Sequence, residues 1–260
     1  MKANFTLLVL CFFNLITTGQ TDVTLIKSRN LIEKDEYLKA IVLLDAFIEK
    51  DTTNSDAYTQ RALCMRKKGS YDNAFNDLKH AIRLNEKNEE AYAVLGSAYA
   101  MTDNYDLSLN SFNKSIEVNP NYAPAYSSRG ALYYYFLDEN DKAFVDYTKA
   151  IKLDPKSYNQ YYNRGMLYRL RGSYDHALND LYFALRLHPK DHLIYNEIGE
   201  CFMAQEEYKK AIRSYLKTIK YNNKVDPFEK LNNGMIYQKV ARCYEKLGNN
   251  KKAEKYFKKA

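Results

Sequence analysis

From about residue 21 to the end of the chain, apolar positions recur in a fixed order. An aromatic column runs through Tyr58, Tyr92, Tyr126, Tyr161, Tyr195 and Tyr237. Four residues after each stands a small residue: Ala62, Gly96, Gly130, Gly165, Gly199 and Ala241. Three further on come Met65, Tyr99, Tyr133, Tyr168, Phe202 and Tyr244. Offsets of four and three place these residues on one face of a helix. A second amphipathic run follows each time, opened by Tyr71, Tyr105, Tyr174 and Tyr208. Its columns are small (Ala74, Ser108, Ala143, Ala177, Ala211, Ala253), large (Leu78, Phe112, Tyr147, Leu181, Tyr215, Phe257) and small again (Ala81, Ser115, Ala150, Ala184, Thr218, Ala260). Small residues facing large ones let two helices approach closely and interdigitate. Pro120, Pro155 and Pro189 punctuate the exits, because proline cannot continue a helix interior.

The period is 34 residues, which predicts an all-α chain of about seven helix-turn-helix repeats. Their spans are near 21–54, 55–88, 89–122, 123–157, 158–191, 192–225 and 234–260. The first fits the frame loosely, through Ser28, Leu31, Tyr37, Ala40, Leu44 and Phe47. One extra residue lies in the turn at 137–142, and a longer insertion at 222–233. Asp226 before Pro227 predicts an extended helix opening the last repeat, with Phe228, Leu231 and Met235 on one face.

The period, the aromatic-small-aromatic first helix, the Ala-aromatic-Ala second helix and the terminal prolines resemble the tetratricopeptide repeat family over essentially all of residues 20–260. Tyrosine stands where that family often has tryptophan. The resemblance implies a right-handed superhelical solenoid with a concave inner face, in which each repeat buries its apolar face against its neighbours.

Residues 1–19 break the pattern. Lys2, an apolar run from Phe5 to Ile16 and small residues ending at Gly19 form a secretory signal pattern, too short for a comfortable membrane span. The expectation is export, to the periplasm or outside in a bacterium or into the secretory pathway in a eukaryote. Cleavage after Gly19 leaves Cys64, Cys201 and Cys243. All three fall in one apolar column of stacked repeats, roughly 10 Å apart, beyond the reach of a disulfide. They are expected to be free and buried.

The chain is 46% hydrophobic, with 25 Tyr and a formal charge of +7. It therefore has the material for a packed core. Most tyrosines belong to the aromatic columns. Lys and Glu alternate along most of the chain, and no basic stripe with interleaved aromatics stands out, so a nucleic-acid partner is not expected.

Two charged columns cut across the apolar ones. Arg61 goes with Asp77, Arg129 with Asp146 and Arg164 with Asp180. In the other repeats both charges are missing together, as in Leu95 with Ser111 and Ile198 with Ser214; Lys27, opposite Leu43, keeps a charge with no partner. The Arg129 pair is one residue further apart because its turn is longer. Each pair is read as a structural ion pair joining the helices of one hairpin.

The repeat leaves the inner face of each first helix free to vary. Its aromatic, Met and Arg positions concentrate at Tyr134, Tyr135, Tyr162, Met166 and Arg169, flanked by Arg66. These residue types dominate binding hot spots, so they form the candidate groove for a protein or peptide partner. The Lys–Asn set with which some family members grip a chaperone C-terminus is absent; its columns read Leu25 and Arg29, Thr59 and Leu63, Ala93 and Ser97.

No nucleophile, base and orienting acid recur in a recognisable arrangement, and no Gly-rich phosphate loop is present. No catalytic residue, cofactor or metal is therefore assigned, and the chain is not expected to be an enzyme. His188 and His192 straddle an inter-repeat turn, where exposure is the expected state. The lysine-rich end, reaching Ala260 within the last second helix, offers a contact for an acidic partner or an anionic membrane. The reading is an exported, non-catalytic scaffold that holds a partner in its concave groove. The alternative is an assembly factor of the cell envelope acting through repeat edges and the basic end.

Overall fold

A computed structural model of the chain describes residues 23–224 and 231–260. The signal-like residues 1–19 lie outside this range, as do Asp226, Pro227 and Phe228. Among the described residues every regular element is a helix. The first, α1, covers residues 23–33. It is followed by α2 (Tyr37–Ile48), α3 (Ser55–Lys67), α4 (Tyr71–Leu84), α5 (Glu89–Ala100), α6 (Tyr105–Val118), α7 (Ala123–Tyr135) and α8 (Asn140–Leu153). Then come α9 (Tyr158–Leu170), α10 (Tyr174–Leu187), α11 (His192–Ala204), α12 (Tyr208–Asn222), α13 (Asn233–Lys246) and α14 (Asn250–Phe257). Odd and even helices alternate as the first and second helices of about seven repeats. The chain divides into two compact units, Met1–Leu137 and Asp138–Ala260.

Each turn between a first and a second helix carries one residue in the left-handed region, two positions ahead of the second helix. Gly69, Gly172 and Gly248 take it with φ of 78°, 72° and 71°, where a Cβ is a liability. Asp35, Asp103, Asp138 and Glu206 take it in the other turns. The tyrosine that opens the second helix can support this residue: the Tyr105 hydroxyl donates to Asp103 Oδ1 at 2.8 Å. At the other end of the hairpin, side chains cap the first helices. Asn54, Asn88, Asp191 and Asn232 accept from backbone N–H groups of α3, α5, α11 and α13, satisfying donors that a helix start leaves bare. Asn88 is buried, and its amide also donates to Ser55 Oγ at 2.7 Å and Thr59 Oγ1 at 3.2 Å. The cap of one repeat is thereby tied to the first helix of the repeat before it.

Within a hairpin the two helices touch where a small residue meets a large one. A Cβ on Gly96 would lie 2.8 Å from the Phe112 ring, and one on Gly199 would lie 2.5 Å from the ring of Tyr215. At Gly165 the closest atom, Leu181 Cγ, would be 3.0 Å away. Phe112, Leu181 and Tyr215 are all fully buried or nearly so. Serine in a small column keeps its hydroxyl satisfied: Ser108 donates to the Gly96 carbonyl and Ser115 to the Glu89 carbonyl, both at 2.7 Å. Cys64, Cys201 and Cys243 are free and fully buried. Burial pushes the thiols of Cys64 and Cys243 up to about 11 and that of Cys201 to about 12, so they stay protonated and inert at neutral pH.

In the last repeat α13 begins at Asn233, capped by Asn232, and the expected start at Asp226 and Pro227 lies outside the described residues. The insertion is closed at its base by asparagines. The Asn222 amide donates to the Leu231 carbonyl at 2.8 Å and to Asn233 Oδ1 at 2.7 Å, and its own Oδ1 accepts from Leu231 N at 2.9 Å. Asn233 in turn donates to Asn223 Oδ1 at 2.7 Å. The repeat departs from expectation at its other end: α14 stops at Phe257, so Ala260 lies beyond the helix and not in its small column. The Ala260 carbonyl packs against Gly234, 2.6 Å from where a Cβ would stand.

The tight glycine contact yields a measurable expectation. Gly199→Ala should cost about 1–3 kcal/mol by forcing the buried Tyr215 ring aside, although alanine is the better helix former. Urea unfolding should show a lowered midpoint; a neutral or stabilising result would mean that the two helices part freely at this point.

Candidate functional site

The charged columns are held by the same hairpin geometry. Arg61 on α3 forks onto Asp77 on α4, with Nε to Oδ2 and Nη2 to Oδ1 both at 2.7 Å. Arg164 on α9 forks onto Asp180 on α10 at 2.7 and 2.9 Å. In both cases hydrogen bonding to the aspartate holds the arginine pKa above its usual value. The guanidinium also lies against aromatic columns of its own helix. Arg164 Cζ is 5.9 Å from the Tyr161 ring centroid and 5.7 Å from that of Tyr168, within cation–π range. Arg129 lies in the first unit and Asp146, which is buried, in the second. Within its unit Arg129 is placed against Tyr126 and Tyr133 and donates to Asn113 Oδ1 at 2.6 Å.

The structure adds a third partner that the pairwise columns do not reveal. Arg61 Nη1 donates to Asp45 Oδ1 at 2.7 Å, and Asp45 sits on α2 of the preceding repeat. Asn113 on α6 holds the equivalent position for Arg129. Arg61 therefore joins the two helices of its own hairpin and also seals the seam to the repeat before it.

The six candidate groove residues have distinct surroundings. In the first unit, Arg66 is half-buried near the end of α3. Its Nε is buried without a hydrogen-bond partner, and it makes no ion pair among the described residues. Burial lowers its pKa, against which the hydroxyls of Tyr71 and Tyr37 act. Tyr134 and Tyr135 end α7, their rings edge-on at 4.6 Å, and Tyr135 is 55% exposed. In the second unit, Tyr162 packs against the core around Ile194 and Ile198, and Met166 is half-buried beside it on α9. Arg169 is engaged: its Nε donates to Glu197 Oε2 at 2.8 Å, and Glu197 is itself buried on α11. One turn along α11, Glu200 accepts from Lys239 at 2.7 Å and from the Tyr215 hydroxyl at 2.9 Å. The first-helix face of this unit is thus a balanced charge network, and Arg169 enters it as an anchor for Glu197. The sequence does not single out Glu197, because its partner Arg169 lies on the preceding repeat.

Of the two histidines at this inter-repeat turn, His188 is exposed, as expected, and His192 is not. His192 is the first residue of α11 and is buried, with Nε2 unpartnered. His188 stacks on Tyr158 at 3.7 Å between ring centroids. Among the described residues no group of three or more His, Cys, Asp or Glu side chains could hold a metal ion.

Two family models, each described as tetratricopeptide repeat, match the chain, one over residues 162–227 and the other over 55–88, 89–122, 123–157 and 236–260. Between them they cover more than half of it. The chain is 28% identical over 108 residues to small glutamine-rich tetratricopeptide repeat-containing protein 2 of Mycosarcoma maydis, a match covering 42% of this chain and 28% of that protein. It spans less than a third of the length of the curated relatives it matches. Its fold is similar to that of pilF from Pseudomonas aeruginosa, with a TM-score of 0.68 and 18% identity over 80% of this chain and 90% of that one. It is also similar to PilW, a type IV pilus biogenesis factor, with a TM-score of 0.65 and 21% identity over 78% and 90% of the two chains. At these identities the likeness speaks for the fold alone.

A double-mutant cycle tests the role of the charged columns. Arg164→Leu alone should cost about 3 kcal/mol, because it leaves Asp180 buried without its partner. Arg164→Leu with Asp180→Leu should cost markedly less than the sum of the two single changes. Additive costs would show that the two side chains do not stabilise each other.

Proposed function

The chain belongs to the tetratricopeptide repeat family, and on that footing we propose that it is an exported, non-enzymatic scaffold that binds a peptide or protein segment along its first helices. The observation that carries this reading is the aromatic pair at the end of α7. Tyr134 and Tyr135 fall outside every repeat column, and more than half of Tyr135 faces solvent. Exposed tyrosine supplies large contact area at little cost in side-chain entropy. Tyr162 and Met166 supply the same chemistry on α9, and Arg66 offers an unpaired guanidinium on α3. Binding here needs no chemistry from the protein beyond a rigid, preformed surface.

The export half of the proposal is supported by Lys2, the apolar run Phe5–Ile16 and Gly19. It places the protein in the periplasm or outside a bacterium, or in the secretory pathway of a eukaryote. A second reading, an assembly factor of the cell envelope, is favoured by one feature. Lys251, Lys252, Lys255, Lys258 and Lys259 crowd α14 and the residues after it, a basic end suited to an acidic partner or an anionic lipid surface.

Two measurements test these readings. Intact mass of the protein secreted by its own host should correspond to a chain beginning at Gln20; a chain retaining Met1 would sink the export proposal. Crosslinking in the native compartment, followed by identification of the captured proteins, should recover a partner that is lost in Tyr134→Ala/Tyr162→Ala/Arg169→Ala. A partner that survives this variant but is lost on removal of residues 251–260 would favour the assembly factor instead.

A further inference from the structure

In the second unit an open groove lies between α10 and α12 with α11 as its floor. It is lined by Tyr182, Ile198 and Phe202 on one side and by Lys210, Arg213 and Lys217 on the other. Its position has a counterpart in the first unit. Ile198, Ser214 and Tyr182 each lie 137 residues after Arg61, Asp77 and Asp45. Those three are the members of the ion trio that seals the seam between α2, α3 and α4. At the later seam all three are uncharged. Where a guanidinium and two carboxylates meet in one place, the buried Ile198 side chain stands in the other, with the open groove beside it.

The wall of this groove is strongly cationic. Between Tyr208 and Asn222, α12 carries Lys209, Lys210, Arg213, Lys217 and Lys220 and no acidic residue. Lys210, Arg213 and Lys217 follow the three- and four-residue spacing that aligns them on one side of a helix, along roughly 10 Å. Only Lys210 has an acidic partner, Glu207. Arg213 Nε turns to the Lys209 carbonyl at 3.3 Å. The aromatic floor is already covered by this wall: Lys210 Nζ stands 5.1 Å from the Phe202 centroid and Lys217 Nζ stands 5.0 Å from that of Tyr195. Rings capped in this way are not free to stack on bases. What remains open is the half-buried Leu185 beside the exposed edge of Tyr182, with the buried Ile198 beneath them. The sequence shows no basic stripe with aromatics because the cations and the rings come from different helices.

We propose that this groove is a second docking site, for an acidic peptide segment that sets an apolar side chain against Tyr182 and Leu185 and its carboxylates along Lys210, Arg213 and Lys217. The site is distinct from the first-helix surface carrying Tyr162 and Met166, and the loss of the Arg–Asp pair in this repeat creates it. An ion pair kept for structure in one repeat is exchanged for a recognition surface in another.

The test uses the chain without its first nineteen residues and a fluorescein-labelled synthetic peptide of alternating Glu and Leu pairs. Its counterpart with Lys for Glu serves as control. The acidic peptide should bind, and the basic one should not. Raising sodium chloride from about 0.05 to about 0.5 M should weaken binding by about tenfold or more. Lys210→Glu with Lys217→Glu, both on exposed positions, should lower affinity by at least about tenfold. So should Ile198→Arg with Ser214→Asp, which rebuilds the pair seen at Arg164 and Asp180 and fills the groove. Tyr134→Ala with Tyr135→Ala, both in the first unit, should leave it unchanged. Circular dichroism identifies any variant that fails to fold, in which case the charge reversal alone decides. Binding that ignores the charge reversal would overturn the proposal. So would tighter binding, with the same sensitivity, to phosphatidylglycerol vesicles or to a single-stranded oligonucleotide.

Discussion

The close approach of the two helices in each hairpin is the constraint on which the rest of this structure depends. It is made where a residue with little or no side chain meets a large one, as Gly199 meets Tyr215 and Gly96 meets Phe112. With the backbones this near, side chains of the second helix reach carbonyls of the first, which is why serine can stand in for alanine at 108 and 115. The same proximity brings Arg164 within bidentate range of Asp180. The inner face of the first helix lies outside this contact, and the candidate binding residues are found there. A wider hairpin would lose the ion pairs, the satisfied hydroxyls and the buried thiols together.

The architecture is legible in the sequence because its cause is periodic. Tyr58, Ala62 and Met65 announce a helix face, and the same triplet 34 residues later announces its neighbour. The Arg and Asp columns are legible for the same reason, since a residue and its partner change together within a repeat. What depends on a single junction is not legible. Nothing in the order of residues says that Arg61 also meets Asp45, because that contact depends on how one hairpin sits on the last. Nor does it say that Arg169 is held by Glu197. Nor does it single out Asn232, among the asparagines at 222, 223, 232 and 233, as the residue that caps α13.

Repetition also changes what a substitution means. In most folds a missing salt bridge is only a missing salt bridge. Here the repeats supply an internal control, so the neutral trio Ile198, Ser214 and Tyr182 can be compared with Arg61, Asp77 and Asp45 in the same protein. The comparison separates two physical roles for one location. Filled by charge, it ties neighbouring hairpins together. Left apolar beside the cationic α12, it presents a surface. The stability given up at this seam is made good by the aliphatic and aromatic cluster of Ile194, Ile198, Phe202 and Tyr215 that packs around it.

The asparagine clamp at the base of the insertion has an engineering consequence. Asn222 holds both the carbonyl and the N–H of Leu231, and Asn233 returns the grip on Asn223. The two ends of the segment are therefore locked to each other independently of what joins them. Lengthening a segment whose two ends are held together costs only about 0.6 kcal/mol for each doubling. The stretch between these asparagines is thus a port into the chain, where an epitope, a fluorophore or a whole second domain can be spliced while the helices on either side keep their register.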